Sequence, residues 1–570
     1  MEMKTYEAVV IGSGAAGFQA ACQLKKRGVD VAIVTEGVNC GTSRNAGSDK
    51  QTYYKLGLGG SDPDSVGKMA RDLFRGGSMD GDNALCEAAL SASCFLQLCQ
   101  LGVEFPVNRY GEYIGYKTDH DPYARAPSAG PLTSKQMTES LQKEAERLEI
   151  PILDGCYAVQ LLQHKQQVCG VLCLQEGKPM GIRCGDVVLA TGGPAGIYED
   201  SVYPEGHTGS TGLAIAAGAT LQNLALWQYG LASVRPRWNV SGTYMQVLPR
   251  FVSIDEVGQE HDFLWEYFRD KYEGLSMVFL KGYQWPFDPQ KAERGSSLID
   301  MLVYRERVEK GRRVYLDFTK NPFEIDFEKL SPEAYGYLKK AEATFGRPID
   351  RLAKMNTPAI ELYRSKGVDI ATEYLEIALC AQHCNGGIAV DLWWQTSVKG
   401  LFAVGECAGT HGISRPGGSA LNAGQVGGLR AAQYIAAYPN SLVDEDTFAK
   451  LLENTRIQKE AAEERMDQAR RRMSTHAAAV RDPQQIQATL EEICRELPQV
   501  TDYRLREILL TQAAVLTAMS QPQKDPDLVQ EVTWTGKDFR VRVRKVRPIP
   551  EEDAAFETVW RDYRQHKNIY

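Results

Sequence analysis

The chain lacks the cysteine spacings that hold one-electron relays. Its 570 residues include thirteen cysteines, none of them as CxxC, CxxCH or a ferredoxin-type run. No iron–sulfur cluster, attached haem or metal site is therefore predicted. An odd set of thiols without framework spacing reads as reduced cysteine, which places the protein in the cytoplasm. Long apolar runs are missing as well. No stretch of 18 strongly apolar residues is free of charge or dense glycine, so no membrane span is expected. The opening residues Met1 to Glu7 run straight into a strand and carry no secretory pattern. Basic character is also absent: 65 Lys and Arg face 73 Asp and Glu, for a net charge of −8. This argues against nucleic acid as a partner, and a small anionic substrate would need local arginines. Glycine is scarce in one region only. Of 52 glycines a single one, Gly536, lies beyond residue 437. That remainder reads as charged and helical, as over Phe448–Arg472, with a Pro-containing strap at Lys545–Pro550.

The other 51 glycines have a pattern. Glu7-Ala-Val-Val-Ile11 is a short apolar strand, Gly12-Ser13-Gly14-Ala15-Ala16-Gly17 a turn, and Phe18–Arg27 a helix. Val31–Val34 is a second strand, and Glu36 follows it. Gly12 makes the tight turn, Gly14 lets backbone approach a pyrophosphate, and Gly17 permits close helix–strand packing. The helix start offers unpaired N–H groups to phosphate, and Glu36 would accept from a ribose diol. A glycine-rich turn alone can arise from packing. Strand, helix and acid in register select a dinucleotide site.

Two downstream segments select FAD over NAD. Ala190-Thr191-Gly192-Gly193 ends a strand, and residues 401–430 hold eight glycines around Gly405-Glu406 and Gly417-Gly418-Ser419. Three separated glycine-rich segments suit a long, buried ligand. A second helix start after Gly418 would face the flavin, and Glu406 would bind ribityl hydroxyls.

With Ser43-Arg-Asn-Ala-Gly47, His383-Cys-Asn-Gly-Gly-Ile388 and Ser414-Arg-Pro-Gly-Gly-Ser419 added, the chain resembles the flavoprotein subunits of fumarate reductase and succinate dehydrogenase. L-aspartate oxidase and the soluble fumarate reductases are relatives of that family. The resemblance implies an α/β fold: a Rossmann-like FAD-binding domain (1–235 and 366–437) interrupted by an α+β capping domain (236–365), then a C-terminal helical region (438–570). It assigns the cofactor to Gly12, Ser13, Gly14, Ala15, Ala16, Gly17, Glu36, Gly37, Thr42, Ser43, Ala46, Gly47, Ala158, Ala190, Thr191, Gly192, Gly405, Glu406, Gly418, Ser419 and Leu421.

Three residues carry over as chemistry. Arg415 matches the arginine that binds a substrate carboxylate, a task suited to a planar guanidinium fork. His383 matches the histidine that hydrogen-bonds substrate. Arg294, in Glu293-Arg-Gly-Ser-Ser-Leu-Ile-Asp300, is similar to the cap arginine that delivers a proton, with Arg305 and Arg307 as neighbouring candidates.

Departures from the family pattern matter as much. The histidine that tethers FAD covalently is replaced in Cys40-Gly41-Thr42, so FAD is expected to be non-covalent. The segments that complete a dicarboxylate site are replaced by Trp227-Gln-Tyr-Gly-Leu-Ala232 and Pro249-Arg-Phe-Val-Ser253. This argues against fumarate and suggests a lining of Trp227, Gln228 and Tyr229 that suits a larger or less charged molecule. The implied function is hydride exchange at a carbon–carbon bond beside a carboxylate or carbonyl of a small organic acid. An aspartate-oxidase-like reaction and an electron-transfer role within a larger redox complex remain open as alternatives. Without clusters or haem, the electron donor or acceptor must come from outside, as a redox protein, free flavin or NAD(P)H.

Overall fold

The computed structural model describes residues 1–60, 63–455 and 462–551. Its centre is a five-stranded, all-parallel sheet in the order Leu401–Ala403, Asp186–Leu189, Ala8–Ile11, Val31–Val34, Ile152–Leu153. The strands from Ala8, Val31 and Asp186 are buried along their whole length. That burial is why they read as continuous apolar runs rather than alternating ones. The helix Ala15–Lys26 packs against the helix Ser419–Ala437. Glycine makes the close approach possible: a Cβ on Gly428 would lie 2.9 Å from the Ala20 nitrogen, and one on Gly424 3.2 Å from the Ala16 Cβ. Those glycines cost helix propensity, roughly 1 kcal/mol each, and are retained for contact.

A second, antiparallel sheet of six strands carries the opposite wall. Its order is Trp238–Asn239, Trp227–Ser233, Leu375–Cys384, Arg313–Asp317, Arg250–Ile254, Glu260–His261. The register slips by one residue between Gln228, opposite His383, and Tyr229, opposite Ala381, leaving Gln382 as a bulge. Bulges re-aim side chains beside active sites. Here Gln382 and His383, neighbours in sequence, both reach one cavity.

The C-terminal region is helical as expected and adds a strand pair. It does contain the helices Glu445–Glu453, Glu463–His476, Pro483–Glu496 and Tyr503–Ser520. Residues 456–461, inside the expected helical run, lie outside the described residues. It also contains a hairpin, Leu528–Trp534 paired antiparallel with Phe539–Lys545. The alternation Phe539-Arg-Val-Arg-Val-Arg-Lys545 has the strand period of two, and Gly536, at φ +93, makes the turn. The region's single glycine therefore marks its strand pair. The hairpin joins Leu221–Gln222, and the chain beyond it straps the body: the Gly81 N–H donates to the Arg547 carbonyl at 2.7 Å, while Arg544 and Arg547 both pair with Asp80. Among the described residues no helix is long and apolar enough to cross a membrane.

Candidate functional site

A cavity of about 1340 Å³ runs from the first glycine turn to the six-stranded sheet. Pockets for small ligands hold roughly 300–1,000 Å³, so this one has room for a long molecule and a second, smaller one. Every expected cofactor residue lines it except Gly17 and Ser419. Gly17 faces the strand instead, where a Cβ would overlap the Gly12 carbonyl, and Ser419 is buried in the first turn of its helix. A Cβ on Gly12 would likewise overlap the Ala190 carbonyl, so the two loops meet through bare backbone.

At the end nearest Glu36, the C-terminal region packs behind the lining residues Glu36, Tyr157 and Thr208. Arg504 pairs with Glu36 and lies over the Tyr157 ring at 4.4 Å. One turn along the same helix, the buried Glu507 accepts from the Tyr157 hydroxyl at 2.5 Å and from Thr208 Oγ1 at 3.0 Å. Sequence reasoning missed these residues because they carry no motif. A nearly all-buried helix was their only signal.

The opposite end is polar. Arg415 faces the cavity and donates through Nη2 to Gln228 Oε1 at 2.7 Å. Burial lowers its pKa to about 10, opposed by Glu406 and Glu87, so it stays charged at neutral pH. His383 is buried, donates Nδ1 to Asn385 Oδ1 at 3.1 Å, and stacks obliquely on His411 with ring centroids 5.2 Å apart. Burial, then the charge on Arg415, holds the pKa of His383 well below that of a free imidazole. His411 is held down by the same two causes. Glu406 accepts from the Cys384 N–H at 3.1 Å and from the Tyr203 hydroxyl. Burial raises its carboxyl to about 8. Glu87, on the helix Gly81–Gln100, is wholly buried and is also raised to about 8, against the lowering effect of Thr410 and Arg415. Two imidazoles with lowered pKa and two carboxyls with raised pKa surround one guanidinium.

The lining expected from Trp227, Gln228 and Tyr229 is corrected by the strand period. Of Trp227, Gln228 and Tyr229, only Gln228 lines the cavity. Trp227 and Tyr229 point to the other face, stacked 6.4 Å apart against Tyr198. Aromatic lining comes instead from Tyr283 and Trp285. Arg294 is exposed in the turn before Leu298–Tyr304 and does not line the cavity. Neither candidate neighbour lines it: Arg305 lies over the Tyr267 ring, and Arg307 pairs with Asp200 and Glu376.

The donor set fits a flavin dinucleotide. Two helix starts, after Gly14 and after Gly418, open onto the cavity. Thr42 Oγ1 and Gln425 Oε1 are buried on its wall without a partner among the described residues. Such orphaned polar atoms call for a ligand that can meet them. Fold and site together define a flavoprotein of the FAD-binding class.

The FAD binding domain family model matches residues 7–421, most of the chain, and the protein belongs to that family. A fumarate reductase (CoM/CoB) polypeptide of Methanothermobacter marburgensis is 26% identical over 458 residues, 78% of this chain and 74% of that one. The L-aspartate oxidase of Agrobacterium fabrum is 25% identical over 443 residues, 76% and 74% of the two chains. Among solved structures, the quinol fumarate reductase of E. coli superposes with a TM-score of 0.68 at 17% identity, covering 97% of this chain and 98% of that one. The Sdh1 complex of Mycobacterium smegmatis gives 0.69 at 20%, covering 97% and 96%. The chain is an FAD-dependent oxidoreductase of the fumarate reductase and L-aspartate oxidase family.

Proposed function

We propose that the protein exchanges hydride between FAD and a carbon beside the carboxylate or carbonyl of a small organic acid, with Arg415 holding that group. One observation carries this reading: a charged guanidinium at the end of the cofactor cavity, with Gln228 on Nη2 and no protein partner on Nε. A fork with free donors matches an acid group, and in a dry cavity each charged bond is worth roughly 1.5–3 kcal/mol. FAD, when bound, supplies the hydride chemistry; the chain supplies binding, orientation and exclusion of water. Gly12 to Ala16, Thr42, Thr191, Gly405 and Gly418 would hold it without a covalent bond.

Formation or reduction of a carbon–carbon double bond is the preferred form of the reaction, and fumarate is not the proposed substrate. Among the described lining residues Arg415 is the single arginine, and its free donors fit one acid group; the lining lysines are Lys50 and Lys117. The proton-donor role expected of Arg294 gains no support from its exposed position. An outside electron donor or acceptor and a cytoplasmic location complete the reading.

The test is anaerobic. Protein reduced with dithionite is mixed with unsaturated acids, enones and 2-oxo acids while flavin reoxidation is followed by absorbance. Reoxidation by one of these, abolished in Arg415→Ala, is the expected result. Reoxidation only by air, with peroxide released and an amino acid as reductant, would point to the oxidase form instead.

A further inference from the structure

The hydrogen bonds around His383 decide which ring nitrogen carries its proton. Asn385 is buried, and its Nδ2 donates to the Gly412 carbonyl at 2.7 Å and approaches the Ile413 carbonyl at 3.4 Å. Two carbonyls can be met only by the amide NH2, so the amide cannot be turned the other way. Its Oδ1 therefore faces His383 Nδ1. An amide oxygen only accepts, so Nδ1 carries the hydrogen.

The ring itself is neutral, because it is buried beside the Arg415 charge with no anion in hydrogen-bond reach. A neutral imidazole has one N–H, which leaves Nε2 as a bare acceptor. Nε2 is buried and has no partner among the described residues; Glu406 Oε1, at 3.8 Å, is too distant to bond. Glu406 Oε1 in turn accepts from the Cys384 N–H and the Tyr203 hydroxyl.

We infer that Asn385 is a positioning residue that fixes His383 in the Nδ1–H form, and that the site selects a 2-hydroxy acid whose hydroxyl donates to Nε2 while Arg415 holds its carboxylate. The inference rests on the Arg415 reading and adds the substrate class. A second carboxylate in place of the hydroxyl would set an anion against the Nε2 lone pair. An ammonium would add a second positive charge beside the Arg415 guanidinium. The hydroxyl meets the orphaned acceptor without adding charge.

The test uses FAD-loaded protein labelled with nitrogen-15 in histidine. His383→Phe assigns the His383 signals and removes the acceptor. In wild type at pH 7, Nε2 is expected as the unprotonated, pyridine-type nitrogen. Asn385→Leu, which deletes the acceptor for Nδ1, mixes the two tautomers.

In parallel, ligand binding is read from flavin absorbance for butanoate and 3-phenylpropanoate, each alone and with a 2-hydroxyl or a 2-amino group. The 2-hydroxy acid should bind about tenfold tighter than its parent, one good hydrogen bond's worth. That ratio should fall toward one in both variants. A protonated Nε2 in wild type, equal binding of parent and hydroxy acid, preference for the amino acid, or a ratio unchanged in Asn385→Leu would each overturn the inference. If no acid perturbs the flavin, the Arg415 reading and the substrate class fall together, and the nitrogen-15 signals alone decide the role of Asn385.

Discussion

The two ends of the cavity are built by different means. The cofactor end is mostly backbone: Gly12, Gly14, Gly405 and Gly418 supply N–H groups and bare surface, and Gly17 brings the first helix against its strand. The other end is mostly side chain: Arg415, His383, Gln228 and Glu406 converge from a glycine-rich loop, two paired strands and a short turn. Backbone recognition needs glycine at fixed spacing, because any Cβ would fill the space. Side-chain recognition needs only that the right groups meet, and they can come from anywhere in the chain. One end is rigid by sterics; the other is tuned by burial.

The comparison breaks first at Gly17. A valine there would overlap the Gly12 carbonyl, and the turn cannot move without parting from Ala190. Gly17→Val is expected to abolish FAD binding, read as colourless protein from a purification that yields yellow wild type. Retained colour would show that the turn can yield, and the contrast between the ends would lose its basis.

The next effect belongs to the tuned end. Glu87 has a folded pKa of about 8, above the ordinary carboxylate value, so the folded state holds a proton that the unfolded state has lost. Stability therefore falls as pH rises from about 5 to 8 and levels off above that. The full shift corresponds to about 3 to 5 kcal/mol. Glu87→Gln, neutral at every pH, should flatten that fall, as measured by urea unfolding of the full chain at pH 5.5, 7 and 8.5. An unchanged slope would mean that Glu87 is ionised in the folded protein.

This division also explains what was legible in the sequence. The glycine turns, the parallel sheet and the FAD cavity can be read because each leaves a local mark: an apolar run, a glycine spacing, an acid at a strand end. Arg415 and His383 are legible only because they lie inside glycine-rich segments. Asn385 sits two residues from His383, but its role depends on the Gly412 carbonyl, which folding alone brings near. Glu87 and Tyr203 leave no mark, since a buried acid in a helix and a tyrosine in a loop look like any others. Trp227 and Tyr229 fall on the wrong face because strand phase decides which residue points in, and of the three only Gln228 points to the cavity. The C-terminal hairpin does leave a signal, in the alternation after Phe539 and in one glycine.

Arg415→Ala sharpens the contrast between the two ends. It should weaken binding of an acid ligand by roughly 100-fold, the loss of a charged two-point contact, while FAD affinity stays within a few-fold of wild type. Both follow from one titration watched by flavin absorbance. A parallel collapse of FAD binding would make Arg415 part of the cofactor end.

The smallest effect tests an ion pair at the edge of the backbone-built end. Arg504 reaches from the C-terminal helix to pair with Glu36, and Glu36 is partly exposed, so solvent screens the pair. Arg504→Gln keeps much of the length and a donor but removes the charge. FAD should bind about two- to fivefold more weakly, from a looser Glu36 and a thinner cover over Tyr157. A loss as large as that of Gly17→Val would make the C-terminal helix a full wall of the cofactor site. No change at all would leave the glycine turns holding the dinucleotide alone, with the helix serving only to brace them through Glu507.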